Sequence, residues 1–526
     1  MNKQEYLRLL SQASVNDTSK FCAVPLERPK SKGRPPKYYR LLPEKEKVVE
    51  STVRRILPSA IADSVRPTGS RLARLYGLPK THKRQLAMRP ILSATGTYNY
   101  ALAKWLDAML KPLAVNEHTI TDIFAFTNEI RGVKGARSRY FSPFKINPGE
   151  ILVSYDVSSL FTNVPLDETI DILARKAFEN NWFNDTYDLN LTRTDLVDLL
   201  HVATKGQLFQ FDGVLYEQTD GVAMGSPLGP LLANVFMCSI EMSLKSQGKL
   251  PEFYRRYVDD TLVRMPDLAA ATQFLDTLNH AHSAVCFTME VEKNGMLPFL
   301  GVQLLNRAPC VETKVYVKPT NTGLLLHYHS HVDSRYKHGL LVTMLDRAHR
   351  LSSCWAHFSE ECERLREVFR KLRYPNHLID SVINRFITSR VAVDQPKQHT
   401  DDAIRIVIPY KDQDAAVSVK RQLRDLSSKV QKTIQPVFTS RKLKQDLSLR
   451  KPKPNIVTQQ CIVYLFKCDL CDAGYVGYTK GHLHTRVEGH RPKASSIYRH
   501  YCKEQSTAVL NNFLARFNIG GLIASR

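Results

Sequence analysis

The chain has 526 residues, of which 43% are hydrophobic and 24% charged, so it is long enough for several domains and too apolar to be disordered throughout. Lysine and arginine number 74 against 51 acidic residues, which gives a formal net charge of +23. This charge favours a polyanionic partner such as a nucleic acid. The alternative is a basic protein of the ribosomal kind or one that binds a membrane surface. Residues 1–20 lack the apolar core of a secretion signal, and no stretch approaches the roughly 20 apolar residues of a membrane span. These features predict an intracellular protein that has no membrane partner.

Residues 1–65 read as a basic N-terminal extension. Their run from Lys30 to Lys37 contains one glycine and two prolines, which excludes a regular helix. Such a run is either a solvated basic loop, a segment that enters a DNA minor groove, or an import signal.

Residues 66–310 have a mixed pattern of helices and strands. Apolar spacing and turn residues predict a helix over Tyr98–Leu113, a strand over Ile151–Val157, a helix over Leu228–Leu244, and a hairpin over Phe253–Met265 that has Asp259 and Asp260 at its turn.

The pattern becomes largely helical over residues 311–395, and a connector follows over residues 396–455. Within the connector we predict a strand over Ile404–Ile408, a helix over Ala415–Val430 and a strand over Ile434–Thr439, followed by a basic linker that contains proline. A last segment occupies residues 456–526.

Three aspartates stand where divalent metals could bind. Asp156 lies near the end of its predicted strand, and Asp259 and Asp260 follow about a hundred residues later in a predicted turn. Nucleotidyl transfer uses two metal ions, roughly 3.5–4 Å apart, which carboxylates at the ends of adjacent strands can hold. The same three residues alone also fit two solvated turn aspartates and one strand-end cap.

Seven short motifs follow one another between about residues 70 and 350. They are Leu75–Lys83, Arg89–Ser93, the segment around Asp156, Gly221–Leu228, Tyr257–Asp260, Leu297–Gly301, and Val317–Thr320 with Arg347 and Ala348 further on. In this order they resemble the reverse transcriptases of Penelope-like retroelements. The resemblance implies an α+β right-hand polymerase, with fingers and palm over residues 66–310 and a thumb-like region over residues 311–395.

The resemblance also implies roles for the acidic and aromatic residues. Asp156 and Asp259 would be the principal ligands of Mg²⁺ or Mn²⁺, and Asp260 would be a further carboxylate ligand. Phe161 matches the gate beside the incoming sugar, where its ring would exclude a 2′-hydroxyl. A plain core aromatic is the alternative for Phe161.

Four further residues match positions that bind nucleotide or template. Lys80, Lys83 and Arg89 lie where the fingers grip a triphosphate, or hold the template backbone with the same side chains. Gln218 precedes the glycine turn, where it would brace the template strand.

The last segment resembles a nuclease of the GIY-YIG class. Tyr464 falls in the first half of that signature, Tyr475 and Gly477 in the second, and Arg486 matches the catalytic arginine of the class. The resemblance implies a small α/β domain of this kind at the C-terminus.

A possible zinc site lies within this nuclease-like segment. Cys468, Cys471, His484 and His490 have the spacing C-x2-C-x12-H-x5-H, which fits zinc. Alternatively, His490 belongs to the nuclease face, or His500 or Cys502 replaces one of the ligands.

Past Arg486 the acidic residues that could bind a nuclease metal are Glu488 and Glu504, and neither has the context of the class. We therefore expect a truncated nuclease segment.

The predicted function is that of an RNA-directed DNA polymerase of a retroelement. The enzyme would extend a primer end in target DNA, copying template RNA with deoxynucleoside triphosphates, and so serve replication and integration of the element. A DNA target implies the nucleus. The alternatives are a two-activity enzyme that also nicks DNA, and a catalytically silent nucleic-acid-binding remnant. The oligomeric state is not predicted.

Overall fold

The computed structural model describes residues 1–25, 37–80, 86–132, 144–391, 403–440, 462–467, 474–479, 481, 483, 486 and 489–490. Among these residues, no helix has both the length and the apolar character needed to cross a bilayer.

The described residues form fifteen α-helices and sixteen strands. The helices are α1 (Lys3–Gln12), α2 (Lys37–Ile56), α3 (Ser59–Val65), α4 (Tyr100–Leu110), α5 (Ile123–Ile130), α6 (Leu160–Asn163), α7 (Leu166–Phe178), α8 (Trp182–Tyr187), α9 (Arg193–Thr204), α10 (Gly229–Ser246), α11 (Leu268–Ala281), α12 (Ser334–Leu351), α13 (Trp355–Lys371), α14 (Asn376–Val391) and α15 (Gln413–Val430). The strands are β1 (Phe21–Ala23), β2 (Ala73–Lys80), β3 (Ala87–Ser93), β4 (Ile151–Val157), β5 (Gln207–Phe211), β6 (Val214–Gln218), β7 (Tyr254–Tyr257), β8 (Asp260–Met265), β9 (Phe287–Val291), β10 (Met296–Phe299), β11 (Val302–Arg307), β12 (Cys310–Val315), β13 (Ile404–Pro409), β14 (Ile434–Thr439), β15 (Ile462–Lys467) and β16 (Gly474–Thr479).

A five-stranded sheet has the order β1-β6-β5-β2-β3. Strands β5 and β6 form a hairpin, whose turn residues Asp212 and Gly213 have φ of +43° and +83°, as the Asp-Gly pair of a type I′ turn requires. Strand β1 pairs with β6 and places Phe21 in the apolar cluster under the sheet. The predicted domain boundary at residue 65 therefore does not coincide with a structural break, because earlier residues complete this sheet.

The catalytic candidates lie on a four-stranded antiparallel sheet of order β7-β8-β4-β9. Strand β4 is in the middle, as its apolar run predicts, and its bounds are those predicted from the sequence. Val153 and Tyr155 face the main core, which includes residues of α7, α10 and α11. Leu152 faces a second core on the other side. Because side chains alternate along a strand, Asp156 emerges on the same side as Leu152.

The second core is closed by a three-stranded antiparallel sheet of order β10-β11-β12. Leu297, Phe299 and Leu304 of this sheet are buried there. Strand β12 crosses the predicted thumb boundary at residue 311, so this small sheet is continuous with the polymerase core and ends just before the helical region.

Helices α12, α13 and α14 form a three-helix unit with its own apolar core. After it, β13, α15 and β14 form a parallel βαβ unit, which confirms the strand, helix and strand predicted for the connector. This unit is tied to α12 because Lys420 forms an ion pair with the buried carboxylate of Asp333, at 2.8 Å.

Two helix predictions are confirmed with adjusted ends. The helix predicted over Tyr98–Leu113 is α4, followed by a 3-10 turn over Lys111–Ala114, since Pro112 cannot donate a helical hydrogen bond. The helix predicted over Leu228–Leu244 is α10.

Candidate active site

Asp156 and Asp260 lie directly opposite each other in adjacent antiparallel strands. They are register partners of β4 and β8, and so share one face of the sheet. Asp259 lies in the turn before β8, where its carbonyl accepts a hydrogen bond from the Val157 amide at 3.2 Å. The structure thus brings the three predicted acids to one edge of the sheet, although they are about a hundred positions apart in sequence.

The hairpin turn consists of Val258 and Asp259, because Tyr257 pairs with Asp260. Asp260 was predicted within the turn, but it is the first residue of β8. Val258 has φ of +55°, a left-handed conformation that is costly for a β-branched residue. Such a conformation persists only where the surroundings hold it in place.

Part of that support is a buried polar cluster directly before the turn. Arg256 is fully buried and donates to the Val258 carbonyl at 3.1 Å. The same guanidinium forms an ion pair with the buried Glu241 and donates to Asn234 Oδ1 at 2.8 Å. Sequence reasoning missed these residues. Glu241, an acid inside the largely apolar helix α10, was the available signal.

The charge of Arg256 is retained because its partner is close. Burial lowers the pKa of this guanidinium, but the Glu241 carboxylate outweighs burial, so the pKa is raised above its usual value. An ion pair that links α10 to the hairpin turn therefore lies beneath the candidate catalytic edge.

The electrostatics of the carboxylates favour a nearby cation. Burial, and then the charges of Asp259 and Asp156, raise the pKa of Asp260 to about 6. Arg89 and Lys318 act in the opposite direction and are therefore close enough to influence this carboxylate. Arg89 was predicted in this region. Lys318 was missed as a site residue, although the Val317–Thr320 motif contains it.

The donor chemistry fits a divalent ion, since adjacent carboxylates repel each other and offer hard oxygen ligands. Within the described ranges, however, no group of three or more His, Cys, Asp or Glu side chains meets the geometry of a metal site. Metal binding by the three acids stays a prediction. Asp156 and Asp260 are register partners in adjacent strands, whereas Asp259 lies in the turn between β7 and β8.

The glycine-rich loop before α10 packs closely against helix α6 and strand β3. A Cβ at Gly221, whose φ is +70°, would lie 2.6 Å from the Thr162 carbonyl oxygen. A Cβ at Gly225, whose φ is +132°, would lie 2.6 Å from the Leu92 carbonyl oxygen. These two glycines allow the backbone to approach the segment after Asp156 and strand β3 closely.

Phe161 is held by this loop. The Val222 amide donates to the Phe161 carbonyl at 2.8 Å, and a Cβ at Gly229 would lie 3.5 Å from the ring. The side chain is half-buried and packs against the main core, so its ring is in part a core aromatic. Its role as a sugar gate stays a prediction.

The predicted nucleotide-binding residues are distributed along the five-stranded sheet. Lys80 ends β2 and Arg89 lies exposed on the paired strand β3, whereas Lys83 lies outside the described residues. Gln218 is 4% exposed, and its side-chain amide donates to the Asp220 carbonyl at 3.1 Å. In this conformation Gln218 stabilises the turn before the glycine loop, and its contact with a template stays a prediction.

The helical region contacts the polymerase core at the Leu297–Gly301 motif. Arg347 of α12 donates to the Gly301 carbonyl at 3.2 Å, and the Tyr316 amide donates to the same oxygen at 3.1 Å. Gly301 has φ of +76°, and a Cβ there would lie 2.8 Å from the Arg347 guanidinium. A glycine turn therefore seats the first helix of the thumb-like region.

The described nuclease-like residues converge on one tyrosine. Tyr464 is buried, its hydroxyl lies 2.6 Å from His490 Nε2, and Arg486 donates to the same hydroxyl at 3.1 Å. Arg486 also reaches the Tyr475 hydroxyl at 3.5 Å. Gly477 is the register partner of Tyr464, and a Cβ there would overlap the tyrosine ring.

Zinc binding by this segment stays a prediction. Cys468, Cys471 and His484 lie outside the described residues. In the described part, the Nε2 atom of His490 is hydrogen-bonded to the Tyr464 hydroxyl, which favours the alternative that His490 belongs to the nuclease-like face.

Residues 80–304 match the family model described as reverse transcriptase (RNA-dependent DNA polymerase). The chain carries a reverse transcriptase domain. This domain type is that of an enzyme, an RNA-directed DNA polymerase, and it implies dependence on a divalent metal. Residues 324–384, which include α12 and α13, match a second model described as an animal helix-turn-helix domain.

The chain is similar over part of its length to the telomerase reverse transcriptase of Rattus norvegicus, at 32% identity over 92 residues. These residues are 18% of this chain and 8% of the length of that relative, so the chain spans only a small part of it.

Two solved structures show a weaker likeness. A Candida albicans telomerase in complex with a fragment of telomeric RNA aligns at 13% identity and a TM-score of 0.37, covering 77% of this chain and 67% of that one. The RNA-dependent RNA polymerase of bacteriophage phi12 aligns at 13% identity and a TM-score of 0.34, covering 57% and 47%. Scores this low add nothing to the assignment of the fold.

Proposed function

We propose that this protein is a retroelement polymerase of the Penelope-like type, which copies template RNA into DNA by extending a primer end in target DNA. The observation that carries the proposal is the pairing of Asp156 with Asp260 within a reverse transcriptase domain. The Penelope-like type rests on the order of the seven sequence motifs. Action on a DNA target places the proposed activity in the nucleus.

Asp156, Asp259 and Asp260 would hold two Mg²⁺ or Mn²⁺ ions, which stabilise the attacking and leaving oxygens of nucleotidyl transfer when bound. The chain's own residues supply the remaining requirements. Lys80, Lys83 and Arg89 would bind the triphosphate of the incoming deoxynucleotide through its phosphate oxygens.

Selection between sugars falls to Phe161. Its backbone carbonyl accepts a hydrogen bond from the Val222 amide, and its half-buried ring packs against the main core beside the start of α10 at Gly229. A ring fixed in this way would exclude a 2′-hydroxyl by contact and would not move aside at low cost.

The direct test is deoxynucleotide incorporation on a primed RNA template with Mg²⁺. Wild type should extend the primer, whereas Asp156→Asn and Asp259→Asn should each reduce the rate at least a hundredfold, since each removes a carboxylate that holds the metals. Asp212→Asn, in a hairpin turn of the other sheet, is the matched control and should stay within twofold of wild type. Equal extension by all four proteins would refute the catalytic assignment.

A second candidate function is nicking of DNA by the C-terminal segment. The specific observation is that Tyr464, Tyr475 and Arg486 form one hydrogen-bonded cluster, with Gly477 opposite. An arginine beside two tyrosine hydroxyls could stabilise the charge of a phosphodiester under attack.

Relaxation of a supercoiled plasmid in Mg²⁺ separates the two functions. Nicking that Arg486→Ala abolishes and Asp259→Asn leaves unchanged would establish a second active site. Absence of nicking by wild type, with primer extension intact, would leave the polymerase as the sole activity of the two.

A further inference from the structure

A cavity of about 390 Å³ lies where α5 meets the turn between α12 and α13. We call it the α5–α13 pocket and define it by Asn128, Arg131, Arg350, Ser352 and Trp355. Its volume is within the range of about 300–1,000 Å³ that is typical of ligand pockets. The turn lies inside the region that matches the helix-turn-helix model.

The pocket is cationic. Arg131 and Arg350 line it, and none of the described lining residues is acidic, although Arg350 also forms an ion pair with Asp346 at 3.8 Å. The neighbouring His349 adds no charge at neutral pH, because burial lowers the pKa of its imidazole. Arg131 donates to the Arg350 backbone carbonyl at 3.2 Å, and among the described residues it has no carboxylate partner. Burial lowers the pKa of Arg131, so its charge is partly desolvated. A bound anion would compensate that charge.

Two further groups at the pocket are suited to binding an anion. Ser352 is 5% exposed and lines the pocket, and its hydroxyl has no hydrogen-bond partner among the described residues. A buried polar group without a partner is costly, and a ligand oxygen would satisfy it. The seventeen-residue helix α13 begins here at Trp355, and the Cys354 side chain does not cap it. The start of a helix favours negative charge.

Aromatic surface lies next to the cations. Trp355 is 62% exposed, although a large indole is usually mostly buried, and its ring packs on Phe358 at 5.4 Å between centroids. Elsewhere in the lining, the Arg350 guanidinium stacks on Phe124, 3.4 Å from the ring centroid. An exposed indole beside arginines is the combination that binds single-stranded nucleic acids, by stacking bases and pairing phosphates.

We propose that the α5–α13 pocket binds one nucleotide of a single-stranded nucleic acid. The phosphate would lie between Arg131, Ser352 and the first turn of α13, and the base would stack on Trp355. This proposal rests on the proposed function, because a polymerase that copies RNA handles single-stranded nucleic acid. It adds a nucleic-acid contact that is remote from the Asp156–Asp260 pair.

The test follows tryptophan fluorescence of the full chain during titration with a ten-nucleotide single strand. Of the three tryptophans, Trp105 and Trp182 are partly buried, so quenching by a stacked base should come mainly from Trp355. Wild type should be quenched, and Trp355→Phe should lose the quenching while keeping most of the affinity. Trp355→Ala should bind 5- to 20-fold more weakly.

Two variants test the phosphate contact. Arg131→Met should weaken binding 5- to 20-fold and reduce the slope of log affinity against log salt by about 0.7, the value for one phosphate of a single strand. Ser352→Ala should weaken binding without lowering the thermal unfolding midpoint, because it removes a buried hydroxyl that has no hydrogen-bond partner among the described residues. Arg385→Met, which removes an exposed charge from the same helical unit, is the control and should change affinity less than twofold.

The outcomes separate the pocket from the polymerase. Quenching without primer extension would support the pocket and refute the proposed function. Primer extension with unchanged affinity in Trp355→Ala and Arg131→Met would refute the pocket and leave the function standing. Displacement of the strand by millimolar inorganic phosphate, with no effect of Trp355→Ala, would reduce the site to an anion site and overturn the nucleotide proposal.

Discussion

Arg256 and Glu241 form a buried ion pair under the candidate catalytic turn, with the two side chains 0% and 1% exposed. Arg256 also donates to the Val258 carbonyl, so the pair links the centre of α10 to the one β-branched residue whose backbone is left-handed in this turn. The charge pair therefore supports the turn that positions Asp259 and Asp260 through the backbone of Val258.

Removal of one partner should be strongly destabilising. Glu241→Ala leaves Arg256 buried without its carboxylate, and we expect the free energy of unfolding to fall by about 3–5 kcal/mol. Urea unfolding measures this change. Glu50→Ala, which breaks the solvent-exposed pairs with Arg54 and Arg66, is the control and should cost less than about 1 kcal/mol. A similar loss in both variants would contradict a special role for the buried pair.

A double substitution separates stability from activity. Glu241→Leu with Arg256→Met replaces the ion pair by apolar side chains, and should recover much of the stability lost in Glu241→Ala. Primer extension should stay impaired, because the Val258 carbonyl loses its donor. Full recovery of extension would show that the pair serves stability alone.

Asp260 should make stability and activity depend on pH in opposite directions. Its pKa is raised from 3.8 to about 6 by burial and by Asp259 and Asp156, so the folded state binds the proton more tightly than the unfolded state. The stability contribution is therefore full below about pH 4 and is lost as pH rises through 6. Activity should rise over the same interval, since the metal ligand must be ionised.

Asp260→Asn tests the direction of this pH dependence of stability. At pH 7.5 without metal, the variant should be more stable than wild type, by on the order of 1–2 kcal/mol once solvent screening is allowed for, and the gap should close at pH 4. Urea midpoints across this range measure it. A gap that widens toward acid would refute the assigned shift.

The glycine loop should tolerate no side chain. Gly221→Ala and Gly225→Ala would each place a Cβ 2.6 Å from a backbone oxygen, and we expect a loss of extension of at least tenfold. Gly248→Ala is the matched control, because its φ is also positive, at +67°, but nothing lies within 4 Å of its Cβ. If all three variants behaved alike, backbone strain rather than close packing would explain the effect.

Phe161→Ala should relax sugar selection. We expect ribonucleotide incorporation to rise at least tenfold relative to deoxynucleotide incorporation, because the ring no longer contacts the 2′ position. The measurement is the ratio of kcat/KM for the two substrates. An equal fall for both substrates, together with lower stability, would instead identify Phe161 as a core aromatic alone.

Much of the local structure was determined by the sequence alone. The bounds of β4 followed from its apolar run, and the unit of β13, α15 and β14 followed from the change of hydrophobic period along the connector. These predictions hold because strand and helix periods and turn residues act over a few neighbouring positions. Motif order likewise indicated which acids to examine.

Only the tertiary structure decided how distant segments meet. Four such contacts join residues that are distant in sequence. They are the register of Asp156 with Asp260, the pairing of β1 with β6, the burial of Arg256 against Glu241, and the approach of Lys318 to Asp260. Strand register and burial depend on the whole set of competing contacts, which no local pattern encodes. The candidate catalytic acids could therefore be named from the sequence, whereas the ion pair that supports their turn is evident only in the fold.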